Sequence, residues 1–266
     1  MLVQSVSSFS APCLLAMVPS VCDCRTLPPT SAIRENNPQS LYVFNAAALT
    51  KPHAIEHLAA DLANYNIEVA VITETHLKPK HTGTVDSIEN YVAYRRDRQG
   101  RKGGGVAVFV QSGLPSREWK SSPPQTTAYE IIWVRVGDTF ISAIYHPPQP
   151  QYSVDPGLPH IKTNVKEIRR LHPNCQVIIA GDLNQLQDRD IVERTGLTQI
   201  VHQPTRGANI LDRIFAPSSS LFSKVRVVSS VVKSDHKAVV AYTDSSIKSS
   251  FKTTTDGEVR ANTQTS

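Results

Sequence analysis

The sequence is poor in cysteine and has no long apolar run. Its four cysteines, Cys13, Cys22, Cys24 and Cys175, form no Cys-x-x-Cys pair and show no zinc-like spacing. We therefore interpret them as reduced thiols. No apolar stretch approaches the roughly 18 residues that a membrane-spanning helix needs. These absences argue against a disulfide scaffold, a zinc module and a transmembrane protein.

Signals for secretion are also scarce. Residues 11–18 resemble the apolar core of a signal peptide, but no basic residue precedes them. The chain also contains no Asn-x-Ser/Thr site for glycosylation. Both absences weigh against secretion.

Length and charge describe an ordinary globular protein with a basic balance. The chain has 266 residues, is 40% hydrophobic and carries a net charge of +5. This length predicts one domain of about 200 residues with tails. Residues 1–40 and 244–266 are polar and aperiodic, so we predict a disordered leader, a domain over 41–243 and a disordered tail. The positive charge favours an anionic partner such as nucleic acid.

Short apolar runs that end in polar residues recur throughout the predicted domain. They predict strands at 41–44, 69–72, 106–110, 129–136, 139–145, 177–180, 211–215, 224–228 and 237–242. Helical spacing of apolar residues predicts helices near 52–65 and 161–171. Many strands with few helices indicate two packed sheets with helices outside, an α/β class with a four-layer α/β/β/α sandwich.

The most informative stretch is the strand 177–180 and the residues that follow it. Gly181 permits a sharp turn, and Asp182 and Asn184 lie two residues apart, so on an extended chain their side chains share a face. The carboxylate accepts protons, whereas the neutral amide can hold a phosphoryl oxygen without repelling it. Alone, the pair is more typical of a turn that bonds its own backbone.

Eight polar residues lie at or beside the ends of predicted strands. They are Asn45, Glu74, Tyr145, Asp182, Asn184, Asp212, Asp235 and His236. A sheet can gather strand ends that are distant in sequence, and gathered carboxylates repel one another unless a cation lies among them. Magnesium prefers such oxygen ligands and takes one or two carboxylates plus substrate phosphate oxygens. The pattern therefore predicts a magnesium site.

The order of these residues resembles the endonuclease/exonuclease/phosphatase family, whose fold is DNase I-like. The matching motifs, within residues 41–243, are Asn45, Thr73-Glu74-Thr75, Gly181-Asp182-Leu183-Asn184, Leu211-Asp212 and Ser234-Asp235-His236. Three further segments look like the endonuclease domain of non-LTR (LINE-type) retrotransposons: residues 98–106, 145–148 and 203–206. In those elements the domain nicks target DNA, and the resemblance implies a magnesium-dependent DNA-nicking endonuclease.

The resemblance also implies a role for each carboxylate near the metal. Glu74 would be the main ligand of Mg²⁺, with Mn²⁺ as a possible substitute, and Asp235 would assist near the metal. Asp182 would orient or deprotonate the attacking water. Such chemistry is coherent, because a phosphodiester anion repels hydroxide unless metal charge and a positioned nucleophile are supplied.

The remaining residues of the set would act on the phosphate. By the resemblance, Asn45, Tyr145 and Asn184 would hold the scissile phosphate. His236, oriented by Asp212, would stabilise charge on its non-bridging oxygens. A carboxylate beside an imidazole fixes its tautomer and raises its pKa toward the cationic form.

A basic, glycine-rich segment over residues 94–105 is the predicted DNA contact. Its candidate residues are Arg95, Arg96, Arg98, Arg101 and Lys102. In isolation such a run is more often a solvated hairpin. Beside a phosphodiester site it would neutralise backbone phosphates without reading sequence. We expect DNA as the partner, no membrane, a monomer and a nuclear location, with the cytoplasm as the alternative.

Two departures from the resemblance keep other functions open. Ala46-Ala47-Ala48 stands where retroelement relatives commonly carry Arg and Ser, and His76 stands in a segment that commonly bears Trp. No reverse transcriptase follows, so a fragment, a decayed copy or a domain retained by its host is expected. The alternatives are a phosphatase or phosphodiesterase of a small or lipid phosphate, and a catalytically silent nucleic-acid-binding remnant.

Overall fold

The computed structural model describes residues 36–81, 83, 86–120, 129–148, 157–217 and 221–244. The strands are β1 (Ser40–Asn45), β2 (Val69–Thr73), β3 (Tyr91–Arg96), β4 (Val106–Gln111), β5 (Ser116–Trp119), β6 (Glu130–Val136), β7 (Thr139–Tyr145), β8 (Gln176–Asp182), β9 (Thr198–Gln199), β10 (Asp212–Ala216), β11 (Lys224–Val228) and β12 (Ala238–Tyr242). The helices are α1 (Ala54–Asn64), α2 (Gly157–Leu171) and α3 (Asp188–Thr195).

The strands form two six-stranded sheets. Their orders are β11-β12-β1-β2-β4-β3 and β5-β6-β7-β8-β10-β9. Each sheet has one parallel pair at its centre, β1 with β2 and β7 with β8, and the other neighbours are antiparallel. The parallel pairs bring two strand ends to the same edge of each sheet, where Asn45 is in register with Thr73 and Tyr145 with Asp182.

Alternating side chains divide the core into three apolar layers. In β1, Leu41 and Val43 point between the two sheets, whereas Tyr42 and Phe44 point toward α1. On the far side of the second sheet, α2 and α3 cover residues such as Ile179. Because both faces of each central strand are buried, these strands read as continuous apolar runs. The predicted four-layer α/β/β/α sandwich is confirmed.

Several elements were not predicted, each because its sequence signal is weak. β5 and β9 are four- and two-residue edge strands, and α3 is short and mostly polar. β3 contains the first residues of the segment that we interpreted as a basic loop. Its exposed face lacks the apolar run of a central strand, so its existence depends on pairing with β4.

The chain ends are only partly described. Most of the predicted leader and tail, residues 1–35 and 245–266, lies outside the described residues. Within residues 36–40, the Asn37 side chain accepts a hydrogen bond from Asp138 N–H at 2.8 Å. None of the described helices is long and apolar enough to cross a membrane. Cys175 is a free cysteine, and the other three lie outside the described residues.

Gly181 allows the close approach of β7 and β8 at the site. Its φ is +140°, in a region that side chains rarely adopt, and a Cβ there would collide with the carbonyl oxygen of Ile144. Glycine is therefore required by space as well as by backbone conformation. The sharp turn predicted at Gly181 is not found there, because β8 continues in register with β7 through Asp182 and the chain turns at residues 184–185.

Candidate active site

Asn45 joins the ends of the two sheets. Its side-chain amide nitrogen donates to Glu74 Oε1 at 3.0 Å and to Asp182 Oδ2 at 2.7 Å. Its side-chain oxygen accepts the N–H of Ala47 at 2.9 Å. Glu74 follows β2 in the first sheet, and Asp182 ends β8 in the second. One amide thus holds two carboxylates that are 108 positions apart in the sequence.

Asp182 is a buried carboxylate with an unusually high proton affinity. It is 1% exposed. Burial, followed by the nearby charge of Asp212, raises its pKa to about 6, although His236 and the donors Asn45 and Asn184 N–H oppose the shift. A carboxylate with a pKa near 6 is still ionised at neutral pH and accepts protons more strongly than an ordinary aspartate.

The pKa of Glu74 is shifted in the opposite direction from that of Asp182. Burial raises its pKa, but hydrogen bonds from His76, Asn45 and Tyr145 outweigh this effect and lower the pKa to about 2. Its side chain is 25% exposed, and its φ is +49°. Glu74 is therefore a permanently ionised oxygen donor that solvent can reach.

The loop that carries Glu74 is held by backbone hydrogen bonds with the glycine run at 103–105 and the alanine run at 46–48. The N–H groups of Thr75 and His76 donate to Gly105 and Gly104 carbonyls at 3.2 and 2.9 Å. From the other side, Ala48 N–H donates to the Glu74 carbonyl at 2.9 Å. Residues 46 and 48 are buried. The alanines that depart from the resemblance thus support this loop through their backbone.

His236 and Asp212 form a buried pair. His236 Nδ1 lies 2.6 Å from Asp212 Oδ2, and the two side chains are 2% and 0% exposed. Burial lowers the pKa of His236, but the hydrogen bond and charge of Asp212 outweigh it, so the pKa is raised. The raised pKa favours the cationic ring, in which both nitrogens are N–H donors.

Thr205 and Ser234 position this pair, although neither was among the predicted site residues. The Thr205 hydroxyl oxygen accepts the N–H of Asp212 at 3.1 Å, and its carbonyl accepts Lys237 N–H at 2.7 Å. Ser234 donates from its hydroxyl to the Asn45 carbonyl at 2.7 Å and accepts His236 N–H at 3.2 Å. Thr205 lies in the motif at residues 203–206, and Ser234 lies in the motif Ser234-Asp235-His236. A hydroxyl residue within such a motif is the sequence signal that could have identified both.

Tyr145 lies against Glu74 with its hydroxyl proton retained. Burial, followed by the charge of Glu74, raises its pKa. Asn184 has a φ of +42°, and its amide nitrogen donates to the His146 carbonyl at 2.8 Å. Asn184 N–H also donates to Asp182 Oδ1 at 3.1 Å. Asn184 therefore shapes the turn at Asp182 in addition to any contact with a phosphate.

Asp235 pairs with an arginine in this structure. Asp235 Oδ2 lies 2.6 Å from Arg206 Nη2, with the two side chains 59% and 47% exposed. Within the described residues, no three His, Cys, Asp or Glu side chains are grouped to hold a metal. Glu74 is thus the carboxylate best placed for a metal, and the predicted assisting role of Asp235 finds no contact here.

The basic segment differs from the predicted set of exposed cations. Arg98 donates to both carboxylate oxygens of Glu130, at 2.6 and 2.8 Å, and its guanidinium lies 5.2 Å from the Tyr145 ring centroid. Arg95 pairs with Asp86 at 2.6 Å. These arginines are compensated within the fold, so the exposed cations of the segment are Arg101 and Lys102.

Arg96 and Glu130 are two further charged residues in or near the basic segment. Arg96 is half-buried near His160, whose pKa is lowered to about 4 by burial and by this charge. Glu130 is 3% exposed and opens an otherwise apolar strand. A lone acid in such a strand requires a buried cation, and that is the signal that could have predicted the Arg98 pair.

We expect Arg98→Met to reduce stability far more than DNA affinity. The substitution leaves Glu130 buried without its cation, which costs about 3 kcal/mol or more. Lys102→Gln, in an exposed position of the same segment, should leave the denaturation midpoint nearly unchanged. Urea unfolding and DNA binding of the two variants test this difference. Equal stability of Arg98→Met and wild type would contradict the structural role.

The four layers, with polar residues gathered where the two sheets meet, define a DNase I-like fold. The chain belongs to the Endonuclease/Exonuclease/phosphatase family, whose sequence pattern matches residues 37–236.

Solved structures of known proteins share this fold. The endonuclease domain of TRAS1, a telomere-specific non-LTR retrotransposon, matches with a TM-score of 0.57 and 19% identity over 78% of this chain and 98% of that one. The AP endonuclease LMAP from Leishmania major matches with a TM-score of 0.62 and 15% identity over 85% and 92% of the two chains.

A curated sequence supports the resemblance to retrotransposon proteins. The probable RNA-directed DNA polymerase from transposon BS of Drosophila melanogaster is 30% identical over 115 residues, which are 42% of this chain. The matched region is only 12% of that protein's length. The similarity therefore concerns a small part of the relative and carries no statement about its other regions.

Proposed function

We propose that this protein is a magnesium-dependent endonuclease that nicks DNA and derives from a non-LTR retrotransposon. Family membership supports phosphodiester hydrolysis. The observation that carries the proposal is the bridge from Asn45 to both Glu74 and Asp182. It brings a strongly acidic carboxylate and a proton-accepting one into a single site.

The donor set fits a magnesium ion. Glu74 is ionised and reachable by solvent, and Mg²⁺ usually takes one or two carboxylates and keeps several waters. Enzymes of this family generally depend on a divalent metal. Glu74 would hold the ion, and the bound ion would neutralise charge on the phosphate. Mn²⁺ suits the same oxygen donors.

Asp182 is the proposed acceptor of the proton from the attacking water. Its raised pKa strengthens this basicity, and the bond from Asn45 at 2.7 Å fixes the direction of one carboxylate oxygen. A positioned base contributes roughly 10²- to 10⁴-fold to a rate. Burial also excludes bulk water, so the carboxylate retains its orientation.

The remaining candidates would stabilise charge on the phosphate. Asn184 has one amide N–H left after its bond to the His146 carbonyl and would donate it to a phosphate oxygen. The Tyr145 hydroxyl and the Asn45 amide donate to the carboxylates here, so each would have to exchange a carboxylate for the phosphate. His236, whose cationic form Asp212 favours, would donate to a non-bridging oxygen. Donors held in place in advance pay no reorganisation during the reaction, which makes them effective.

Because the proposed substrate is DNA, we propose a nuclear location, with the cytoplasm as the alternative, and a monomer. A second candidate is a phosphatase, because the 3′ phosphatase NExo from Neisseria has the same fold, with a TM-score of 0.59 and 14% identity over 77% of this chain and 99% of that one. The silent remnant is less favoured, since the bridged carboxylates and the His236 pair keep their mutual contacts.

A substrate comparison separates these functions. We expect magnesium-dependent cleavage inside a duplex oligonucleotide that carries no terminal phosphate. We expect little release of inorganic phosphate from a 3′-phosphorylated oligonucleotide or from a small phosphate monoester. Product lengths on a denaturing gel and released phosphate measure the two reactions. Faster phosphate release than internal cleavage would replace the endonuclease with a phosphatase, and binding without either reaction would indicate the silent remnant.

A further inference from the structure

Arg206 is an exposed cation at the edge of the candidate active site that none of the roles above uses. Its Nη2 lies 2.6 Å from Asp235, the residue directly before His236. Arg206 and Asp235 keep 47% and 59% of their side chains exposed. Water competes strongly with such a pair, so it adds little to stability and can exchange partners readily.

The backbone around Arg206 is held rigidly despite this exposure. Arg206 N–H donates to the Asn209 carbonyl at 3.1 Å, and Asn209 N–H donates back to Arg206 at 2.9 Å. Gly207 takes a φ of +54° between them. The preceding residue, Thr205, is bonded to the strand that carries Asp212. The guanidinium is therefore mounted on a turn fixed to the His236–Asp212 pair.

Arg206 also lines an open cleft of about 800 Å³ that reaches Asn184. One wall is the turn that contains Arg206, and the other is the segment after Asn184. Buried Arg213 holds that second wall by donating to the carbonyls of Asn184 and Leu186, both at 2.7 Å, and to Asp188 at 2.6 Å. The cleft is thus a formed groove between two anchored segments. It reaches the candidate active site at Asn184, whose backbone N–H donates to Asp182 Oδ1 at 3.1 Å.

We propose that Arg206 binds a DNA backbone phosphate next to the scissile one and exchanges Asp235 for that phosphate as the strand enters the cleft. A guanidinium has five N–H donors and matches phosphate geometry. A phosphate offers it several oxygens where Asp235 offers one contact at 2.6 Å. Asp235 then acts as a competing anion that occupies Arg206 until DNA displaces it.

This inference rests on the proposed function, so its test measures DNA binding in a chelator, where hydrolysis cannot contribute. Duplexes of two unrelated sequences are titrated between 50 and 200 mM salt and followed by fluorescence anisotropy. We expect Arg206→Gln to weaken binding roughly 5- to 10-fold near 0.1 M salt and to reduce the salt slope by about 0.9. Both sequences should lose affinity equally, because a phosphate contact carries no sequence information.

Two further variants isolate the charge and the position. Arg206→Lys should retain most of the salt slope, because it keeps the cation. Arg117→Gln is the matched control: Arg117 is an exposed arginine on β5, paired with β6 at the opposite end from Glu130, and its loss should leave the slope unchanged.

The competition with Asp235 is tested by a double-mutant cycle. Asp235→Asn should tighten DNA binding in the wild-type background, and the part of this gain that comes from releasing Arg206 should disappear in the Arg206→Gln background. Equal gains in both backgrounds would mean that Asp235 merely repels DNA, and this would overturn the proposed exchange.

The outcomes also separate this inference from the proposed function. If wild type binds DNA and Arg206→Gln keeps its full salt slope, the Arg206 contact is wrong and the endonuclease proposal stands. A loss confined to one sequence would point to a base contact and would also overturn it. If wild type binds neither duplex, both proposals fail.

Discussion

Asp182→Asn is expected to reduce nicking by roughly 10²- to 10⁴-fold, the usual contribution of a positioned base. The amide preserves the shape of the side chain but cannot accept the proton of the attacking water. It also removes a buried charge that burial and Asp212 disfavour. The new amide must, however, turn its NH2 group toward one of the two donors, Asn45 Nδ2 or Asn184 N–H, which costs a hydrogen bond. The denaturation midpoint at neutral pH should therefore change little.

The sign of the stability effect follows from the pKa. The pKa of Asp182 is raised from 3.8 to about 6 on folding, so the folded protein binds this proton more tightly than the unfolded chain. The ionised carboxylate thus lowers stability as pH rises through this window. Asp138→Asn is the control, since Asp138 is 53% exposed at the opposite end of β7. Full activity of Asp182→Asn would contradict the assignment of the base.

The same pKa predicts an acid limb in the pH profile of wild type. Because the carboxylate must be ionised to accept a proton, kcat/KM should rise as pH increases through about 6. The residual activity of Asp182→Asn should lack that limb. Initial nicking rates between pH 4.5 and 8 provide the comparison.

His236→Gln is expected to reduce nicking by roughly 10²- to 10³-fold, the loss typical of one donor to a developing oxyanion. Glutamine cannot carry the positive charge that Asp212 stabilises on the imidazole. The substitution also leaves Asp212 buried without its cation, which costs about 3 kcal/mol. Rates must therefore be measured on protein whose folding has been verified by circular dichroism.

A second variant separates catalysis from stability. His236→Gln with Asp212→Asn replaces the charged pair by two neutral amides, so it should recover stability while remaining inactive. The pKa of His236 is raised on folding, so the pair contributes stability below pH 6.5 that is lost as pH rises through the folded pKa. The stability cost of His236→Gln should accordingly shrink in alkali. A stable, fully active double variant would exclude His236 from the reaction.

The strand ends were predictable because their cause is local. A buried central strand reads as an apolar run, and the polar residue that follows marks its end, as at Asn45 and Asp182. The order of such residues along the chain then indicated the family, and the family pattern over residues 37–236 confirmed it. The roles of the individual residues stay predictions.

The partners of the arginines were not predictable, because each lies far away in sequence. The local sequence around Arg98 is typical of a DNA contact. In the fold, however, Glu130, 32 residues later in the chain, neutralises the charge of Arg98. A Cβ at Gly104 would collide with the Arg98 guanidinium, a requirement that the local sequence does not show. Asp235 meets Arg206 only because the turn at 205–209 is bonded to the strand after His236. Such pairings depend on tertiary structure and leave no local pattern.

The most direct test of the central claim is nicking of supercoiled plasmid by the full chain, with Mg²⁺ and with chelator. We expect conversion to the open circular form with Mg²⁺, none with chelator, and a rate lower by roughly 10²-fold or more for Asp182→Asn. Nicking that persists in chelator, or that Asp182→Asn retains, would contradict a metal-dependent site built on Glu74 and Asp182.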